Sequence, residues 1–215
     1  RSLGYHYGMV YGGFALGLAC TMHGEYDRGA AILQTTVQEG DRWGVLREAT
    51  TALFALGMVA VVQGRVTDAL DYFNEVVQRY RSMQFAGELG MAFCGLALAQ
   101  SAAGQAEAAR DNLREALLIA EKTHNMATML MGWPAVVLYF VRYRPLQQAL
   151  LMHRFVSLIP FLHNSRWYAD LIGNEMEAHW QALSPEQQAA IDATLKAHTP
   201  FTIIPQVLAL LANQS

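Results

Sequence analysis

Residues 53–73 read LFALGMVAVVQGRVTDALDYF, and residues 93–113, forty positions further along, read FCGLALAQSAAGQAEAARDNL. Both stretches have a bulky residue, then Leu followed by a small residue, then a glycine, and finally an alanine four positions before a second bulky residue. Apolar residues spaced by three and four predict helices. Because glycine tolerates the backbone conformation that ends a helix, the glycine between them predicts a turn. The sequence therefore predicts pairs of helices joined by tight turns.

The same register extends well beyond these two stretches. Glycine recurs at Gly24, Gly64 and Gly104. Self-similarity at a fixed period of this length is the signature of stacked helix pairs. Further columns that keep the forty-residue interval are Leu16, Leu56, Leu96 and Val136; Leu18, Met58, Leu98 and Leu138; Gly17, Gly57 and Ala97; Gly29, Ala69, Ala109 and Ala149; Leu33, Phe73 and Leu113; and Val37, Val77 and Leu117.

This spacing resembles the tetratricopeptide repeat, in which a bulky residue, Leu-Gly or Leu-Ala, and Ala-x3-Phe follow one another. HEAT-type repeats also have periods near 40, but the internal spacing favours the tetratricopeptide interpretation. The resemblance implies an all-α fold, a right-handed α-solenoid of helix pairs with a C-terminal helical cap. Gly13, Arg144 and His153 depart from the pattern in the first and fourth units. We expect repeats at about 3–41, 42–80, 81–121 and 122–160, and capping helices over 161–215.

The C-terminal cap has its own helix signals. Asn164 to Leu183 reads as one helix, and Ser184-Pro185-Glu186-Gln187 is a favourable start for the next, which we expect to run to about His198. Thr199-Pro200 should end that helix, and Pro205 to Ala212 predicts a short closing helix. A polar outer face on these helices would keep the end of a solenoid soluble.

The composition excludes several classes of protein. Hydrophobic residues make up 53% of the 215 residues and charged residues 15%, so the chain is not intrinsically disordered. A net charge of −3 disfavours nucleic-acid binding by this segment. The longest apolar runs, Met129–Val141 and Leu89–Ala99, are shorter than a membrane span, and Pro134 interrupts the first. Cys20 and Cys94 read as buried thiols. We therefore expect a soluble cytoplasmic protein that does not engage a membrane, and the start at Arg1 suggests a piece of a longer polypeptide.

The sequence offers no recognisable chemistry. The histidines show no metal-ligand spacing, so we expect neither a metal site nor a cofactor. No phosphate-binding loop or nucleophile signature occurs, so we expect no enzymatic activity. Gly4, Gly8 and Gly12 recur at every fourth position and do not form a dinucleotide-binding loop. Their spacing places them on one helix face, where they favour close packing against a neighbouring helix.

The concave face of the stack is the surface most suited to binding. In stacked helix pairs the first helices line this face, and here their groove positions are apolar rather than the Lys, Arg or Asn of a carboxylate clamp. Two interpretations stay open: the strip is buried as core, or it is a groove for a partner helix, another domain of the same chain or a small apolar effector. The predicted groove residues are Tyr11, Phe14, Leu18, Phe54, Met58, Met91, Cys94, Leu98, Met131 and Leu138.

The array and the tail that follows it resemble the C-terminal sensor regions of large bacterial signal-transducing ATPases, including maltose-activator-like transcription regulators. The resemblance implies a non-enzymatic sensing and protein-interaction module whose output domains lie upstream. The alternative is a constitutive scaffold or oligomerisation module without a small-molecule ligand. Self-association into a homo-oligomer is compatible with both hypotheses.

Overall fold

A computed structural model describes the backbone of residues 2–212 and the side chains of residues 4–212. The predicted all-α class is confirmed, because this part of the chain consists of helices and turns without a strand. Consecutive helices pack against each other as hairpins. These hairpins are α1 (Ser2–Met22) with α2 (Tyr26–Trp43), α3 (Leu46–Val62) with α4 (Val66–Ser82), α5 (Ala86–Ala102) with α6 (Ala106–Thr123), and α7 (Met126–Tyr143) with α8 (Leu146–Ser157).

The two helices of a hairpin differ in character. The first helices of the second and third hairpins, α3 and α5, are buried along nearly their whole length. The second helices are amphipathic and carry charges that suit the helix dipole, such as Asp68 in the first turn of α4 and Arg79 and Arg81 in its last turn. The first helices are therefore sandwiched between neighbours, and the second helices present one face to water.

The turns inside the first three hairpins follow one design. Gly64 has a φ of 73°, in the left-handed region that favours glycine, and Gly24 and Gly104 have equivalent values of 85° and 79°. The next amide reaches back over the last helical turn, as from Arg65 N–H to the Ala60 carbonyl at 2.8 Å. The predicted role of these glycines as helix ends is confirmed. In the fourth hairpin Arg144 is extended instead, and Pro145 is the N-cap residue directly before α8.

Small and bulky columns interlock between hairpins. A Cβ atom built on Gly57 would lie 2.6 Å from the Phe73 ring, and one on Gly95 of the next hairpin would lie 2.4 Å from the same ring. Phe73 is fully buried and makes an edge-to-face contact with Phe54, with ring centroids 5.2 Å apart. The bulky residue of α4 thus fills the space between its own hairpin and the following one.

Pro134 lies inside α7 and does not end it. The helix runs from Met126 through Pro134 to Tyr143, because burial of both flanks outweighs the missing N–H hydrogen bond. Trp133, for example, is fully buried and packs edge-on against Phe155 of α8. Among the described residues this continuous helix is the one that is long and apolar enough to cross a membrane, by length and composition only. Within the described chain 61% of its 18-residue window is buried, as in the core helix of a water-soluble protein.

The C-terminal helices follow the expectation with one local difference. Within the expected helix 164–183, residues 166–181 are helical without a gap, and a π-helical turn at Ala169–Gly173 lies between two α-helical parts. The capping box at Ser184 is confirmed: its Oγ accepts from the Gln187 amide at 3.3 Å, and the Gln187 side chain accepts from the Ser184 amide at 2.9 Å. The next helix stops at Leu195, before the expected end. The elements are α9 (Pro160–His163), α10 (Arg166–Tyr168), a π-helical turn (Ala169–Gly173), α11 (Asn174–Gln181), α12 (Pro185–Leu195) and α13 (Ile204–Ala212).

Candidate functional site

The predicted groove residues lie at different depths. Tyr11 is 54% exposed, while Phe14, Leu18 and Met131 are half-buried. The others are buried, each at 6% exposure or less; they are Phe54, Met58, Met91, Cys94, Leu98 and Leu138. Part of the apolar strip is therefore core, and part faces open space.

The open part is a cavity of about 260 Å³, which we call the concave cavity. Residues from α1, α3, α5, α7 and α9 form its wall, so four hairpins and the C-terminal segment all contribute. Its only polar side chain is Thr51, whose hydroxyl lies 2.9 Å from the Tyr80 hydroxyl and 3.0 Å from the Arg47 carbonyl. The lining residues are Phe14, Leu18, Thr51, Phe54, Ala55, Met58, Met91, Ala127, Leu130, Met131 and Phe161.

A second cavity of about 530 Å³ adjoins the first between α1 and α9. It shares Phe14, Leu18 and Phe161 with the concave cavity, and Tyr11 lies on its wall. Cys94, Leu98 and Leu138 line neither cavity. The structure thus brings most of the predicted groove residues together and leaves these three in the core.

The sequence did not reveal that residues 160–173, which we call the closing segment, fold back toward the first two hairpins. Trp167, only 1% exposed, donates its indole N–H to the Met58 carbonyl at 3.1 Å. The Tyr26 hydroxyl donates to Asp170 Oδ2 at 2.8 Å, and Arg166 pairs with the other oxygen of that carboxylate at 2.8 Å. Phe161 joins the wall of both cavities. The closing segment therefore connects the end of the array with its beginning.

Comparison with known protein families bears on the array directly. Residues 14–83, from the middle of α1 to the end of the second hairpin, match the family model described as tetratricopeptide repeat. This part of the chain is similar to tetratricopeptide repeats. Repeats of this family imply a protein-interaction module, and their all-α fold is typically a non-catalytic scaffold. No curated protein matches the chain.

Polar contacts hold the closing segment and the helices after it against the last hairpin, outside the residues that match the family model. His153 occupies a column in which the repeat pattern expects a bulky apolar residue, and it is 4% exposed. Its Nδ1 lies 2.9 Å from the Tyr168 hydroxyl, and its Nε2 lies 3.4 Å from Glu177 Oε2. Nearby, Arg154 forms a bidentate pair with Asp192 of α12 at 2.6 and 3.3 Å. A histidine is accommodated at this position because both of its ring nitrogens have partners.

Burial controls the ionisation of these groups. Desolvation lowers the pKa of His153 below its usual value, and the hydrogen bond that His153 donates to Glu177 opposes that effect. Desolvation likewise raises the pKa of the Tyr168 hydroxyl. The lowered pKa favours the neutral imidazole, which can donate from Nε2 to Glu177 and accept at Nδ1 from the Tyr168 hydroxyl.

The site has the chemistry of apolar binding. Cys94 is fully buried, its thiol lies 3.6 Å from the Thr128 carbonyl, and burial raises its pKa to about 12. A thiol in that environment is not a nucleophile. Among the described residues no group of three or more His, Cys, Asp or Glu could hold a metal ion. The concave cavity offers shape and apolar surface to a ligand, together with one hydroxyl that is already hydrogen-bonded.

Proposed function

We propose that the chain is a non-catalytic sensing and protein-interaction module, the C-terminal regulatory part of a cytoplasmic bacterial transcription regulator. Its site is the concave cavity, which takes an apolar group from an effector or a partner. The observation that carries the proposal is the composition of the cavity wall, which draws residues from α1, α3, α5, α7 and α9. A group bound there touches every hairpin and the closing segment at once.

Such a wall couples binding to conformation. A ligand shifts an equilibrium only by its differential affinity for two states. Phe161 of α9 forms part of the wall, whereas Phe14 and Met131 come from the first and last hairpins. Movement of the closing segment would take Phe161 away and open the cavity, so an occupied cavity favours the arrangement in which the segment is docked. This gives an effector a physical route to an output domain.

The size of the cavity defines the class of ligand. An engineered apolar cavity of about 150 Å³ stays dry and binds benzene. At about 260 Å³ the concave cavity fits a somewhat larger apolar molecule or one large apolar side chain. Benzene and indole are therefore suitable probes. At a concentration 100 times its Kd, a ligand that binds only the folded state adds about 2.7 kcal/mol of stability.

A thermal-shift measurement with these probes tests the site. The unmodified chain should show a higher Tm with probe, whereas Ala127→Phe, which fills the cavity from an exposed position on α7, should lose the response. Ala193→Phe on the exposed side of α12 is the matched control and should respond like the unmodified chain. Equal responses in all three proteins, or none in any, would exclude the cavity as the site and favour a constitutive scaffold.

The regulatory role needs a test in cells. Replacing the native chromosomal copy with the Ala127→Phe variant should change the transcript profile, while the Ala193→Phe replacement should leave it unchanged. Identical profiles for both strains under all growth conditions tried would contradict a role in transcription regulation.

A further inference from the structure

One face of α1 is exposed although its counterparts in α3 and α7 are buried, as are most of those in α5. We call it the outer α1 face; it consists of Gly8, Met9, Gly12, Ala15, Leu16 and Ala19, all exposed. Leu16 is 50% exposed, while Leu56, Leu96 and Val136 in the same column are 3%, 8% and 0% exposed. Every counterpart of the face is buried in α3 and again in α7.

The covering element that α1 lacks can be identified by comparison. Each of α1, α3 and α5 packs against its own partner helix and against the hairpin that follows. In addition, α3 packs against α1 and α2, α5 against α3 and α4, and α7 against α5 and α6. A preceding hairpin is therefore what α3, α5 and α7 share, and the described part of the chain provides none for α1.

The outer α1 face resembles the face of α7 that contacts the preceding hairpin. Met9, Gly12 and Ala15 have the same residue types as Met129, Gly132 and Ala135 in the corresponding columns. A Cβ atom on Gly132 would lie 3.1 Å from Cys94 Sγ of the preceding hairpin, whereas a Cβ atom on Gly12 would meet nothing within 4 Å. Gly12 thus leaves room that no described residue fills.

The amino-acid composition of α1 is not typical of a helix that faces water. The helix Ser2–Met22 contains no Asp, Glu, Lys or Arg over 21 residues. A solvent-facing helix usually carries charged residues on its outer side. Tyr5, Tyr7 and Met9 are also 67%, 47% and 46% exposed, which adds apolar area next to the face.

We propose that the outer α1 face binds a further helical hairpin of the tetratricopeptide type, which packs on α1 as α5 and α6 pack on α7. This interface would continue the hairpin-to-hairpin contacts already present in the array. The partner must therefore have the shape of such a hairpin and an apolar contact surface. The partner's second helix should carry a small residue opposite Met9. Gly40 plays this part for Ala49, since a Cβ atom on Gly40 would lie 2.6 Å from the Ala49 Cβ.

A second copy of the chain is the weaker candidate. Stacking head to tail would need a free outer face on the last hairpin, but α8 packs against α9, α11 and α12. Only pairing of α1 with α1 remains for two copies, and that pairing lacks the second helix that covers α3, α5 and α7.

A fusion protein tests the proposal with a defined probe. A copy of residues 82–121, which contains α5 and all of α6 except its last two residues, is joined directly to Ser2 in place of Arg1, so that the forty-residue register continues. Leu16→Cys then reports on the face through its rate of labelling by a thiol reagent. Leu118→Cys on α6, where Leu118 is 47% exposed, is the control away from the face. The labelling rate of the same proteins without the added cysteine is subtracted from each measured rate.

The fusion should label Leu16→Cys at least about tenfold more slowly than the unfused chain, because a covered site reacts only after local opening. The Leu118→Cys control should label at the same rate in both. Unchanged labelling of Leu16→Cys in the fusion would overturn the proposal.

Two further results would also overturn it. The first is that the fusion shows no more helical circular dichroism than the unfused chain, both with the copy of residues 82–121 and with a copy of residues 42–81. The second is that the labelling rate of Leu16→Cys in the unfused chain falls as the protein concentration rises, while the mass from sedimentation equilibrium doubles. That result would assign the face to a second copy.

Discussion

The indole N–H of Trp167 donates a hydrogen bond of 3.1 Å to the main-chain carbonyl of Met58, 109 residues away in the chain. The contact joins the closing segment to the second hairpin and lies beside the concave cavity, which Met58 lines. The C-terminal segment thereby packs against the first helices of the array. Met58 takes part both in docking of the segment and in the wall of the proposed binding cavity.

Removing the Trp167 side chain should destabilise the fold strongly. Because the residue is 1% exposed, we expect Trp167→Ala to lower the free energy of unfolding by about 3–5 kcal/mol. Trp167→Phe keeps much of the volume and should cost less, although it also loses the hydrogen bond to Met58, worth about 1 kcal/mol. Urea unfolding measures both. A loss below 1 kcal/mol for the alanine variant would show that the closing segment is not docked as described.

The glycines of the array should respond to substitution in opposite directions. At Gly57 a Cβ atom would lie 2.6 Å from the Phe73 ring, so Gly57→Ala should destabilise by about 1–3 kcal/mol through overpacking. At Gly12 nothing lies within 4 Å, so Gly12→Ala should stabilise the chain by about 0.5–1 kcal/mol through helix propensity. Thermal and urea unfolding give both values. Similar losses at the two positions would contradict the packing of the repeats.

Stability should fall below neutral pH because of His153. Its pKa in the folded chain is lowered by burial, so the unfolded state binds more protons as the pH drops through the ordinary histidine range near 6.5. The stabilisation is therefore present above that range and is lost as the pH falls. Unfolding free energies at pH 7.5 and 5.5 should differ less for His153→Gln than for the unmodified chain. An equal difference in both proteins would place the pH dependence on other groups.

The Cys94 thiol should resist modification in the folded chain. It is 1% exposed, and burial raises its pKa to about 12. We expect thiol reagents at pH 8 to label it at the rate of unfolding and rapidly in denaturant, as followed by mass spectrometry of its peptide. Fast labelling without denaturant would mean that α5 is accessible from the concave side.

The repeat register was predictable because its signals are local or periodic. Gly64 ends a helix through its own backbone, and Phe73 packs on Gly57, which the forty-residue pattern already places in a column of small residues. The closing segment was not predictable in this way. Trp167 and Met58 are related by no period, and nothing in the local sequence indicates where the segment folds back.

The division of the concave strip between cavity and core also lay beyond the sequence. Met91 and Leu98 both lie on α5 and are both apolar, yet only Met91 lines the cavity. Hydrophobic patterning reports burial without distinguishing a filled space from an empty one. His153 is a similar case, because its acceptance in a bulky column depends on Tyr168 and Glu177 from a segment whose position the sequence did not reveal.

Crystals of the chain pressurised with xenon test the central claim most directly. Xenon enters apolar cavities that contain no water. The structure predicts one strong xenon site between Phe14, Phe54 and Met131, and loss of that site in crystals of Ala127→Phe. Ordered water in this space, or a closed wall with no xenon density, would contradict the concave cavity as an apolar binding site.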